Sequence, residues 1–121
     1  MSYDDNNIFA KILRGEIPCK KIYEDEFVLS FYDINPQKKI HALVIPKGKY
    51  IDLDDFANNA SNDEIVGLIK GINIVAKKLD ISVDTGKGYR ALANTSEHGG
   101  QEVPHLHFHL FGGESIGKMV Q

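Results

Sequence analysis

Residues 104–111 read Pro-His-Leu-His-Phe-His-Leu-Phe, so three of the chain's five histidines stand at alternate positions, 105, 107 and 109. Alternate side chains of a β-strand share one face. The spacing therefore predicts a row of imidazoles about 6–7 Å apart, with Leu106, Phe108 and Leu110 turned to the core. Three readings of that row compete. It can be a solvent face that happens to be histidine. It can be a metal site, in which two imidazoles at i and i+2 share a zinc ion. The third ring would then lie roughly 13 Å from the first, too far for a Zn–N bond of about 2.1 Å. Further ligands would have to come from elsewhere; His41 and His98 are available, and no carboxylate-rich cluster stands out. The third reading is catalysis without a metal or other cofactor. Imidazole titrates near neutrality, so neighbouring rings can divide the work of nucleophile, donor and proton carrier. Imidazole nitrogen also attacks phosphorus well, giving a phosphoramidate-type intermediate.

The preceding loop favours the third reading. Gly99 and Gly100 free the backbone to turn N–H groups towards an anion, and Gln101 adds an amide. A histidine nucleophile must be unprotonated, so activity should fall below about the free imidazole pKa of 6.5 unless neighbours move it.

The elements that must carry these groups can be read along the chain. Ile8, Phe9, Ile12 and Leu13 make one helical face, predicting a helix over 7–14 capped by Asn6 or Asn7 and ended by Gly15. Strands are predicted at "KKIYED", at Phe27–Asp33, at His41–Pro46, at Tyr89–Asn94 and at 103–111, with "NPQKK" a turn and "TSEHGGQ" a polar glycine loop. Ser61 and Glu64 form a capping box. It opens a long helix whose apolar stripe is Ile65, Leu68, Ile69, Ile72, Val75, Ala76 and Leu79. Val66 and Ile74 lie off that stripe, so a second face is free to meet a partner. Gly71 inside this helix costs about 1 kcal/mol relative to Ala, which points to a close packing contact. Paired strands, a helix and two more strands predict an α+β domain with an antiparallel sheet.

Composition narrows the class. With 121 residues, 42% hydrophobic and 26% charged, the chain has the make-up of one globular domain, taken as 1–121 with a core of about 7–113. A net charge of −3 and a pI of about 5.9 give no general attraction to nucleic acid or anionic membrane. One cysteine, Cys19, allows no internal disulfide. The start of the chain has no apolar signal core and no run approaches the ~20 residues of a membrane span, so a cytoplasmic protein is expected.

The blocks "NIFAKILRGEIP", "FYDINPQKKIHALVIPK" and "GGQEVPHLHFHLFGG" add a resemblance. The last contains a His-x-His-x-His-x-x pattern with apolar x. Together they resemble the histidine triad (HIT) proteins, and their order and spacing are similar to the Hint branch, the purine nucleoside phosphoramidases, over about 7–113. The resemblance implies a homodimer whose subunits each contribute a five-stranded antiparallel sheet with two helices, the sheet continuing across the dimer. It implies metal-free cleavage of AMP or GMP conjugates with an amine-type leaving group. The runner-up activities are a dinucleoside polyphosphate hydrolase and a nucleotide-binding regulatory module with negligible turnover.

By the same resemblance His107 is the nucleophile. His109 contacts the phosphate or leaving group, His105 holds the strand by hydrogen bonding, and His41 orients the nucleophilic ring. Asp33 matches the ribose-binding acid; read alone, it is a turn-entry aspartate before Asn35-Pro36. Ile8, Phe9, Ile12, Phe31, Ile34 and Leu43 match the purine pocket, though each taken singly reads as core. Asn94, Gly100, Gln101 and Glu102 match the phosphate side. Glu102 stands where many animal members have serine, and a carboxylate beside a phosphate is repulsive, so its backbone N–H is the more useful group. His98 matches no family role.

Overall fold

The computed structural model describes residues 2–120; the two end residues of the expected domain, Met1 and Gln121, lie outside the described residues. Helix α1 spans Ile8–Leu13, with the Asn7 side chain accepting from the Ala10 N–H and Gly15 in the left-handed region at φ +80°. Strands β1 (Lys21–Glu24), β2 (Val28–Tyr32) and β3 (Ile40–Pro46) follow. The β1–β2 turn is closed by Asp25, whose Oδ1 accepts from the N–H groups of Phe27 and Val28. Then come α2 (Leu53–Asn59), α3 (Asn62–Lys78), β4 (Arg90–Leu92), α4 (Ser96–Gly99) and β5 (Phe108–Gly112). The five strands form one antiparallel sheet in the order β1-β2-β3-β5-β4.

Two helices were expected and both are present, α1 and α3, the latter with the Ser61–Glu64 capping box complete. The structure adds α2, capped by Asp52, and the single turn α4 inside the stretch read as a glycine loop. Neither is long enough to show apolar periodicity, which is why the pattern missed them.

The sheet is covered on both sides. Val28, Ala42, Val44, Leu106 and Leu110 pack with Leu68, Ile72 and Val75 of α3. On the opposite face Leu29, Phe31, Leu43 and Ile45 pack with Phe9 of α1. The central strands are thus buried on both faces, as the near-continuous apolar runs of β2 and β3 require. The α3 stripe holds at Leu68, Ile72, Val75 and Ala76, but Ile69 is 60% exposed. It sits about 100° round the helix from Leu68, at the edge of the packed face. Gly67 and Gly71 complete that face instead. Val66 is half exposed and Ile74 partly exposed, off the stripe as the pattern implied.

The last strand is shorter than 103–111. Continuing the β3–β5 register from Val44↔Phe108 would set Pro46 opposite Leu106. Proline has no N–H to give, so the ladder cannot extend. The Leu106 N–H goes to the Tyr50 carbonyl and the Pro46 carbonyl is taken by the His105 ring. His105 and His107 therefore precede β5 rather than belong to it.

A Cβ on Gly71 would lie 2.8 Å from Val28 Cγ2, inside a fully buried β-branched side chain. Gly71→Ala gains about 1 kcal/mol of helix propensity and loses about 1–3 kcal/mol to overpacking. The expected net result is a lower urea midpoint, and a raised midpoint would show that β2 yields freely at this contact.

Candidate active site

The three histidines do not share a solvent face. His105 is fully buried and His107 is 6% exposed, because α1 and the N-terminal segment cover that side of the sheet. The Phe9 ring stands edge-on to His107 at 4.9 Å between centroids. The His107 and His109 rings are 5.1 Å apart.

Hydrogen bonds fix which nitrogen of each ring carries the proton. A carbonyl can only accept, so His105 Nε2–H donates to the Pro46 carbonyl at 2.8 Å. Its bare Nδ1 then accepts from the Tyr3 hydroxyl at 2.6 Å. His107 Nδ1–H donates to the carbonyl of His105 at 2.7 Å, which leaves the lone pair on Nε2. His41 Nδ1 accepts the backbone N–H of Gln37 at 3.1 Å, so its proton is on Nε2. That proton points to His109 Nδ1 at 2.9 Å, with Asp33 Oδ2 at 3.5 Å from the same nitrogen. His109 in turn keeps its proton on Nε2. Four neutral imidazoles thus have four assigned tautomers.

Burial supports the neutral state. Desolvation takes His105 down to about 4, against the help of the Pro46 hydrogen bond. Desolvation, then the neighbouring His107 and His41, takes His109 to about 4. His41 is lowered by desolvation, opposed by Asp33. His107 is also lowered by desolvation; its bond to the His105 carbonyl and the charges of Asp33 and Glu102 act the other way. The acid limit set by a neutral His107 therefore lies below the ordinary imidazole value, moved there by burial against the pull of its neighbours.

His107 and His109 open onto a cavity of about 380 Å³. Phe9 and Leu43 give it an apolar wall. Asp33, His41, Asn94, Gly100 and Glu102 also line it, together with Asn35, Gln37 and Val103, which the sequence reading did not single out. Asp33 serves as the turn-entry aspartate, its Oδ1 accepting from the Asn35 N–H, while its Oδ2 faces His41 at the cavity wall. Other expected residues lie elsewhere. Phe31 is buried behind Phe9, with ring centroids 5.7 Å apart. Ile12 lines a neighbouring groove with Leu13 and Cys19. Ile8 is 40% and Ile34 93% exposed, outside the cavity. Gln101 spends its amide inside the protein, on the Ile51 and Val103 carbonyls and the Ser96 N–H. His98 is exposed on α4.

The loop N–H groups divide into used and free ones. The N–H groups of Gly99, Gly100 and Gln101 are used within the α4 turn, on Thr95, Glu97 and Ser96 carbonyls. Glu102 and Val103, next along the cavity wall, have N–H groups without an acceptor among the described residues. Gly100, at φ +72°, makes the bend that brings them there.

Ligand atoms of Asp33, His41 and His109 lie within 4.8 Å of one another, close enough for a metal ion. The hydrogen bonds fit a cation poorly. Ligation at His41 Nε2 would push its proton to Nδ1, against the Gln37 N–H that already points there. The cluster is better suited to carrying protons.

Oriented imidazoles at and just before the start of β5, two of them opening on a small cavity, define a histidine-triad site, and the comparisons agree. The family model "HIT domain" matches residues 14–116, and the chain belongs to the HIT family. It is 52% identical over 119 residues to an uncharacterized 13.2 kDa HIT-like protein from Azospirillum brasilense, covering 98% of this chain and 95% of that one. It is 39% identical to the purine nucleoside phosphoramidase of Escherichia coli K12, over 96% and 94% of the two chains. Among solved structures, a HIT family hydrolase from Clostridium thermocellum is similar at a TM-score of 0.85 and 38% identity, covering 98% and 99%. No helix among the described residues is long and apolar enough to cross a membrane.

Protonation links this site to stability. The unfolded chain binds protons on histidine below about pH 6.5, while folded His105 resists until about 4. Its contribution is complete above pH 6.5 and is lost as pH falls towards 4, up to about 3 kcal/mol from this residue. Urea unfolding should show a midpoint at pH 4.5 well below that at pH 7.5, with a shallower slope in His105→Gln; a flat profile in the native protein would contradict the burial argument.

Proposed function

We propose that the chain is a hydrolase that cleaves the P–N, or acyl-phosphate, bond of purine nucleoside monophosphate conjugates through a nucleotidyl-His107 intermediate. One observation carries the reading. The proton of His107 is held on Nδ1 by the His105 carbonyl, and Nε2 has no protein partner among the described residues and is not a buried orphan. Its lone pair meets the cavity.

In the first step Nε2 bonds to the α-phosphorus and the bond from phosphorus to the leaving nitrogen or acyl oxygen breaks. The ring becomes cationic while keeping Nδ1–H on the carbonyl. The interactions that oppose the fall in His107 basicity, the carbonyl and the charges of Asp33 and Glu102, are those that stabilise this adduct. The free N–H groups of Glu102 and Val103 are available to the phosphoryl oxygens. His109 Nε2–H is a hydrogen-bond donor to the leaving atom as charge builds there; a leaving nitrogen takes its proton from solvent, and an acyl oxygen leaves as a carboxylate and needs none. Water next attacks phosphorus, the P–Nε2 bond breaks, and the monophosphate leaves. Asp33 would accept from the ribose hydroxyls, with the purine against the apolar wall of Phe9 and Leu43.

Among the described residues the cavity lining contains two carboxylates and no lysine or arginine. That favours a singly charged phosphoryl group over the several charges of a dinucleoside polyphosphate, the runner-up substrate. The same reading includes a cytoplasmic homodimer using the exposed Val66 and Ile69 of α3 and the edge strand β4. Light scattering should give twice the 13.5 kDa chain mass; a monomer at micromolar concentration would remove that element.

Mixing the protein with a slow adenosine phosphoramidate should leave one nucleoside monophosphate on the peptide containing His107, seen by mass spectrometry. His107→Gly should lose roughly 10³-fold or more in turnover while still binding nucleotide. Undiminished turnover in that variant would end the assignment.

A further inference from the structure

Tyr3 lies far from β5 in sequence and outside every regular element. Its hydroxyl nonetheless donates to His105 Nδ1 at 2.6 Å, and its ring stands edge-on to the His105 ring at 5.6 Å. The segment around it is tied down. The backbone N–H and side-chain amide of Asn7 both donate to the Asp4 carbonyl. Arg14 Nη1 donates to the Asp5 carbonyl, and Lys49 Nζ meets Asp5 Oδ1 at 2.8 Å. Desolvation raises the Tyr3 phenol, which keeps it a proton donor.

His105 needs that donor. It is fully buried, and Nε2–H is committed to the Pro46 carbonyl. Nδ1 must therefore accept, and the Tyr3 hydroxyl is its partner in the structure. The carbonyl of this same residue holds the proton of His107 on Nδ1. Movement of His105 thus moves the group that sets the nucleophile's tautomer. We propose that Tyr3 is a positioning residue for the histidine nucleophile: it locks the His105 ring from the N-terminal segment, and through the His105 carbonyl it holds His107 with its lone pair on Nε2.

The inference rests on His107 being the nucleophile, and the test separates the two. Tyr3→Phe removes the donor and keeps the ring. Turnover on an adenosine phosphoramidate should fall about tenfold, as for other partners that orient a working imidazole, while KM stays within about twofold. Imidazole ¹⁵N spectra should show His107 as a single Nδ1–H tautomer in the native protein and as a mixture of tautomers in Tyr3→Phe. A merely structural role would lower thermal stability without changing the tautomer ratio. Unchanged turnover and an unchanged His107 tautomer in Tyr3→Phe, beside an inactive His107→Gly, would overturn the role of Tyr3 and leave the nucleophile standing; an active His107→Gly would overturn both. Native spectra need no variant: His105 found as the Nδ1–H tautomer would also refute the proposal.

Discussion

The site depends on one hydrogen bond, from His107 Nδ1–H to the carbonyl of His105. A free imidazole distributes its proton between two nitrogens, and only one of them can face the cavity with a lone pair. The carbonyl removes that ambiguity at the cost of fixing the backbone two residues upstream. The end of the ladder makes this possible. Pro46 stays paired with β2 but offers no N–H towards β5, and the liberated segment turns so that the His105 carbonyl points at the His107 ring while the His105 ring takes the Pro46 oxygen.

The second layer follows the same logic. Desolvation keeps all four rings neutral, and neutral rings can form a directed chain only if each has a donor or acceptor on its far side. Gln37 supplies the N–H that sets His41, and His41 sets His109. The turn Asn35–Lys39, which appeared to be a connection between β2 and β3, is therefore part of the apparatus. Its backbone assigns a proton more than 70 residues away in sequence.

Much of this was legible in the residues, and the limits have physical causes. Alternation and apolar runs exposed the sheet, and the capping box exposed α3, because those signals are local. The triad pointed to chemistry because its spacing is improbable for any other purpose. The burial of His105 was not visible: alternation says which side chains share a face, not whether another segment covers it. The cover comes from Tyr3 and Phe9, which have no pattern linking them to residue 105. The glycine pair was read as freeing N–H groups along the loop; those of Gly99, Gly100 and Gln101 are used inside α4, while that of Glu102 stays free among the described residues. A single turn of helix consumes its own donors, and α4 is too short to announce itself. Ile69 shows the same limit, since an apolar residue at the margin of a stripe looks identical to one at its centre.

Among the described residues no lysine or arginine lines the cavity wall, which bears on the end of the hydrolysis proposed above. A freed nucleoside monophosphate carries more negative charge at phosphorus than the conjugate from which it came. Under that proposal the extra charge would find no lysine or arginine and two nearby carboxylates, so the spent nucleotide would be held less firmly than the intact one. Departure would then be favoured by the electrostatics of the walls.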